Sequence, residues 1–111
     1  MTFWVAQAGD VPTLLPMMRA LWEHEGIPFD EGLVEPPLRE LLSEPALGRV
    51  WLALAGGAVA GYAMGTWGFS TEQGGRFLLL DELFVLPAFR GTGIGRAALA
   101  FVERGHGPAV A

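Results

Sequence analysis

Leu80-Asp81-Glu82-Leu83-Phe84-Val85-Leu86-Pro87-Ala88-Phe89-Arg90-Gly91-Thr92-Gly93-Ile94-Gly95-Arg96 is the stretch whose reading decides the fold. An apolar run rich in Leu, Phe and Val reads as a buried strand, and Pro87 stops it. A short loop follows, and Gly91, Gly93 and Gly95 lead into a segment with helical spacing from Gly93 to Arg104. Glycines lack Cβ atoms, so a ligand can approach the main chain closely there. The first-turn N–H groups of a helix have no internal acceptor, and the helix dipole adds positive potential. Strand, glycine loop and helix start together make an anion cradle. Arg90 and Arg96 add fork-shaped donors suited to phosphate.

Two familiar phosphate loops do not fit. The dinucleotide fingerprint needs a third glycine at position 96, where the chain has arginine, and it belongs to a parallel unit. The Walker loop ends in Gly-Lys-Ser/Thr, and the chain has no lysine.

Upstream, Phe3 to Ala8 alternates weakly, as a first strand does. Asp10 and Pro12 predict a helix start, with Val11, Leu14, Leu15, Met18, Leu21 and Trp22 along one stripe. Pro16 is expected to kink that helix or delay its start. Asp30 is expected to cap a second helix, interrupted at Pro36-Pro37. Arg49 to Ala55 and Ala58 to Trp67 read as a hairpin joined at Gly56-Gly57. Residues 68–75 read as a loop, and Arg76 to Leu86 as a long strand. The order is β-α-α-β-β-β-α, an α/β (α+β) fold in one domain over residues 1–111. Short strand connections predict a mostly antiparallel sheet.

Composition narrows the function further. The chain has 111 residues, 51% of them hydrophobic, with seven Phe and four Trp, enough for a core without staples. It has no cysteine, which removes disulfides and thiolate chemistry. His24 and His106 lack metal-site spacing, so no metal is expected. The net charge is −5 and every basic residue is an arginine, which argues against diffuse nucleic-acid binding and suits an amine-bearing partner. The amino terminus lacks a signal-peptide pattern, and residues 50–64 are too short to span a bilayer. No membrane association and a cytoplasmic location are expected.

The segment resembles the acetyl-CoA motif of the GNAT family of N-acetyltransferases. That motif is a strand ending hydrophobic-x-Val-x-Pro, followed by Arg/Gln-x-x-Gly-x-Gly/Ala. It reads here as Val85-Leu86-Pro87 and Arg90-Gly91-Thr92-Gly93-Ile94-Gly95. The acidic pair before the aromatic-Val step, Asp81-Glu82-Leu83-Phe84-Val85, is most similar to the diamine and polyamine branch. The resemblance implies the acyl-CoA N-acyltransferase fold, acetyl-CoA as co-substrate, and direct acetyl transfer to a small primary amine. It implies that Leu83, Phe84 and Val85 bind pantetheine through the main chain, and that Arg90, Gly91, Thr92, Gly93, Ile94, Gly95 and Arg96 hold the pyrophosphate. A carboxylate must take the ammonium proton, which gives Asp81 and Glu82 catalytic roles. Asp81 is also the candidate amine anchor, with His24 and Glu25 as acceptor contacts. The Val85 N–H is expected to polarise the acetyl carbonyl. Adjacent strand residues point to opposite faces, so Asp81 and Glu82 share the cleft only if a bulge intervenes.

The family fold continues past the glycine helix, whereas this sequence stops at Gly107-Pro108-Ala109-Val110-Ala111. The downstream tyrosine that serves as proton donor has no counterpart, and Tyr62 is not a match for it. The expectation is a fold truncated after that helix, with the strand from Phe77 to Leu86 left as an apolar edge. A homodimer covering that edge is expected. Other readings stay open: a catalytically silent domain that binds acetyl-CoA or mediates assembly, and a nucleotide-binding module using the same cradle.

Overall fold

Gly56 and Gly57 both adopt positive φ, 60° and 83°, in a two-residue turn that suits strand twist. They join β2 (Gly48–Ala55) to β3 (Ala58–Ser70), and β4 (Gly75–Val85) follows. β1 (Thr2–Val5) pairs with β2 from the other side, and β5 (Ala109–Val110) closes the sheet order β1-β2-β3-β4-β5. The first three pairings are antiparallel and the last is parallel. The helices are α1 (Val11–His24), α2 (Glu31–Ser43) and α3 (Ile94–His106). This computed structural model describes residues 2–106 and 109–110; the remaining end residues and the side chains of His106, Ala109 and Val110 lie outside it.

Strand alternation sorts the core into two layers. Val50, Leu52, Tyr62, Met64 and Phe84 pack with Leu14, Met18, Val34 and Leu38, which places α1 and α2 on one face of the sheet. Trp51, Ala63, Leu78 and Leu80 pack with Val102 of α3 on the other. Among the described residues no helix is long and apolar enough to cross a membrane.

The prolines do not break the helices as the sequence predicts. α1 runs through Pro16, and α2 runs through Pro36 and Pro37. An interior proline costs about 3 kcal/mol, while burying one Leu or Met side chain contributes roughly 1.5–3 kcal/mol. Leu14, Leu15, Met17 and Met18 flank Pro16, and Val34 and Leu38 flank the proline pair, all of them buried. Packing therefore outweighs the missing donor in α1, and in α2 the burial of Val34 and Leu38, with Leu41 and Leu42 partly buried against the same core, offsets the proline pair. Arg39 Nε also reaches Glu35 Oε2 at 2.9 Å across the proline pair.

Asp30 caps α2 as expected, accepting from the Gly32 N–H at 3.0 Å. Asp10 does not cap α1. Its Oδ2 instead accepts from the Gln7 N–H at 2.8 Å and closes the turn before the helix. Half of the predicted loop at 68–75 is strand, with Ser70 paired to Gly75 and only the four residues between them forming a turn. Cross-strand packing extends the ladder there: the Arg76 guanidinium lies 4.2 Å from the Trp67 ring centroid, and the Phe77 ring covers Gly68. The edge assigned to a second copy is partly taken by β5, which pairs at Leu78 and Leu79.

Candidate functional site

β3 and β4 fall out of register at one point: Met64 faces Glu82, Gly65 faces Leu80, and Asp81 is the extra residue between them. This is a β-bulge, which re-aims side chains and adds local twist. Before it, Leu78 and Leu80 point at α3; after it, Glu82 and Phe84 lie on the α1–α2 side. The bulge thus brings Asp81 and Glu82 onto one wall, overriding the strand rule that would separate them.

That wall belongs to a cavity of about 430 Å³ between α1, α2 and the sheet. Met18 and Trp22 of α1, Leu33, Pro37 and Leu41 of α2, and Met64 of β3 supply much of its apolar lining. Asp30, Asp81 and Glu82 are the acidic side chains on it.

Glu82 is gripped by two donors. Tyr62 Oη donates to Oε1 at 2.6 Å, and Trp22 Nε1 donates to Oε2 at 3.0 Å. Burial raises its pKa above the ordinary value of 4.5. The two hydrogen bonds oppose that rise, and the charges of Asp81 and Glu25 add to it. The Tyr62 hydroxyl is pushed far above its usual range, first by burial and then by Glu82, so it stays a donor. Phe29 packs edge-on against Trp22, with ring centroids 5.3 Å apart, and steadies the indole.

His24 and Glu25 sit exposed at the end of α1, outside the cavity wall. Glu25 acts on Glu82 through its charge. Trp22, Tyr62 and Asp30 are site residues that the sequence reading did not assign. A buried Trp or Tyr needs a polar partner, and two of them upstream of an acidic pair were the available signal.

Along β4, the Leu86 N–H donates to Ala60 O of β3 at 2.8 Å. By alternation, the main-chain groups of Val85 and Leu83 face the opposite edge, and those of Phe84 face β3. In keeping with this, the Val85 carbonyl accepts from Arg90 Nε at 2.9 Å. The Arg90 guanidinium also lies 5.7 Å from the Phe84 ring centroid.

Gly91 and Gly93 both have positive φ, 79° and 84°, and a Cβ added at either would meet open space. Thr92 Oγ1 donates to Phe89 O at 2.5 Å and ties the loop. The Ala97 N–H donates to Gly93 O at 3.0 Å, so the amides of Ile94, Gly95 and Arg96 precede the first helical bond of α3. A Cβ at Gly95 would lie in ordinary van der Waals contact, 3.6 Å from Leu83 Cδ2, so the packing against β4 does not itself require glycine there. Arg96 is exposed at the same helix mouth. Among the described residues no group of three or more His, Cys, Asp or Glu is placed to hold a metal.

Residues 14–105 match the model of the Acetyltransferase (GNAT) family. An integron cassette protein from the mobile metagenome of Cole Harbour Salt Marsh, HFX_CASS3, is 38% identical with a TM-score of 0.84; the alignment covers 93% of this chain and 68% of that one. A "possible acetyltransferase" of Clostridium difficile 630 superposes at a TM-score of 0.82 with 21% identity, covering 93% of this chain and 68% of that one. A "predicted acetyltransferase" of Clostridium acetobutylicum, crystallised with acetyl-CoA, superposes at 0.76 with 19% identity, covering 93% and 71%. The latter two likenesses show the fold alone. No curated protein matches the chain. With most of its length inside the family model, the chain belongs to the GNAT family of acetyl-CoA-dependent N-acetyltransferases.

Proposed function

We propose that the chain transfers the acetyl group of acetyl-CoA to a small primary amine, with Glu82 as general base and Asp81 as the ammonium anchor. The observation that carries this reading is the bulge, which sets both carboxylates in one cavity just before the strand end and the glycine loop. A primary ammonium has a pKa near ~10, so only on the order of 0.1% is nucleophilic at neutral pH. A carboxylate with a raised pKa is a better proton acceptor for that task than an ordinary one. Each Glu82 oxygen accepts one hydrogen bond and keeps a second lone pair for the incoming proton.

The residues present fit acetyl-CoA. Open space at Gly91 and Gly93 lets the diphosphate approach the α3 amides, with Arg90 and Arg96 supplying charge. The outward main-chain groups of Leu83 and Val85 suit pantetheine laid along the edge, and the Phe84 ring backs that strand from the core. The Val85 N–H, on that edge, is the candidate donor to the thioester carbonyl. The ammonium first gives one proton to Glu82; as the N–C bond then forms, the C–S bond breaks, and the second proton shed by the nitrogen goes to the departing sulfur, which leaves as the thiol. His24 and Glu25, exposed at the end of α1, remain the proposed acceptor contacts at the cavity entrance, and Glu25 also acts on Glu82 through its charge. A homodimer remains the proposed assembly, with its contact on β4 confined to the end before Leu78, because β5 and pantetheine take the rest of that edge; light scattering tests it.

The test is thiol release from acetyl-CoA across a panel of primary amines. Saturable, amine-dependent release supports the reading. Coenzyme A binding without release under any amine would replace it with the silent-domain reading.

A further inference from the structure

We infer that the acceptor is a monoamine with an apolar body, of the alkylamine or arylalkylamine class, rather than a polyamine or an amino sugar. This rests on the acetyl-transfer reading and deepens it.

The argument starts from what the cavity wall offers. Its body is built from Met18, Leu33, Pro37, Leu41 and Met64, with the Trp22 ring beside Glu82. Thioethers and an indole face suit an apolar or aromatic group. The polar side chains on the wall are Asp30, Asp81 and Glu82, which only accept when ionised. The indole N–H is already donated to Glu82, and the Tyr62 hydroxyl behind it likewise. A sugar's hydroxyls can donate only to those three carboxylates, and the rest of its polar surface would lose hydration against a wall with no free side-chain donor.

A polyamine fails for a different reason. One ammonium satisfies the Asp81–Glu82 end. A second would lie among Leu, Pro and Met side chains, or turn to Asp30, whose negative charge already serves the amino-terminal end of α2, where it accepts from the Gly32 N–H at 3.0 Å. Burying an unpaired cation in an apolar wall is strongly unfavourable. Leu33 of that wall carries a further sign in its exposure. It stands 75% exposed at the cavity rim on α2, an apolar side chain that gains cover when an apolar body enters.

The experiment titrates the chain, saturated with coenzyme A, with 2-phenylethylamine, spermidine and glucosamine by calorimetry. Phenylethylamine is expected to bind at least about tenfold more tightly than either of the others. Spermidine or glucosamine binding as tightly, or no binding of phenylethylamine, overturns the inference. Leu33→Asp, at an exposed position that folding tolerates, should weaken phenylethylamine about tenfold and leave coenzyme A affinity unchanged. Unchanged phenylethylamine affinity in that variant also overturns it. Thiol release separates the two levels. Phenylethylamine bound but never acetylated sinks the acetyl-transfer reading alone. Turnover with spermidine in preference sinks the acceptor class alone.

Discussion

Tyr62 Oη and Glu82 Oε1 lie 2.6 Å apart, on neighbouring strands, with the tyrosine fully buried and the carboxylate half-buried. With the Trp22 indole on the other oxygen, this holds Glu82 in one rotamer at the cavity wall. Burial and two neighbouring negative charges raise the carboxyl pKa, and the two donors restrain that rise. A proton acceptor of intermediate strength results, fixed in place before the acceptor arrives.

Replacing Glu82 with Gln should lower kcat by roughly 10²–10⁴-fold, the usual size of a general-base contribution. The base works ionised, so the wild-type rate rises with pH through the Glu82 pKa. Because that pKa is raised, the acid limb should lie above the ordinary glutamate range. The limb should vanish in Glu82→Gln. A pH–rate profile with the limb intact in the variant would remove Glu82 from the role.

Tyr62→Phe and Trp22→Phe each delete one donor that lowers the Glu82 pKa. Their acid limbs should move to higher pH than that of the wild type. A purely structural role for either residue would change thermal stability or kcat and leave the limb in place. The pH profile therefore discriminates where activity alone does not.

Glu82 should also mark the stability curve. Its folded pKa is raised, so the unfolded chain releases this proton first. The penalty is absent below the unfolded value near 4.5 and grows as pH rises, levelling off above the folded pKa. The wild-type Tm should therefore fall relative to Glu82→Gln as pH rises through that window. Parallel Tm curves for the two proteins would contradict the raised pKa.

How far these features were legible in the sequence depends on which forces set them. The glycine loop and the strand before it were readable, because Gly91, Gly93 and Pro87 impose backbone constraints that depend only on their neighbours. The Gly56-Gly57 hairpin was readable for the same reason. The continuity of α1 and α2 was not. Pro16, Pro36 and Pro37 are local breakers, and what offsets them is the burial of Leu14, Met18, Val34, Leu38 and their apolar neighbours against the sheet. The length of the β3–β4 hairpin was hidden likewise, since the Trp67–Arg76 contact that extends it is made across strands. The bulge at Asp81 could be named as a condition but not located, because it follows from the register of two whole strands.

Gly93→Glu tests the phosphate cradle. A Cβ at Gly93 meets open space, so the fold survives with only the strain of a non-glycine residue at positive φ, about 1–2 kcal/mol. The added carboxylate would stand where the diphosphate docks and repel it. Coenzyme A affinity should drop at least about 100-fold, since both charge and space are lost. Unchanged affinity in a folded variant, measured by calorimetry, would take the loop out of the site.

The bulge makes its own prediction, through a comparison of Asp81→Asn with deletion of Asp81. In the substitution the extra residue stays, and only the charge goes. The amine KM should rise by about tenfold, for the loss of one partly exposed ion pair in a semi-enclosed site, with kcat changed less. In the deletion, Leu80 and Glu82 become neighbours in a regular ladder and fall on opposite faces, as each already does. Leu80 keeps its packing with Val102, and Glu82 keeps Tyr62. The deletion variant should therefore fold with the sheet register intact and show the same rise in KM. Loss of fold on deletion, beside a folded Asp81→Asn protein, would mean that the sheet itself needs the extra residue. Wild-type KM in both would strip Asp81 of its place at the ammonium.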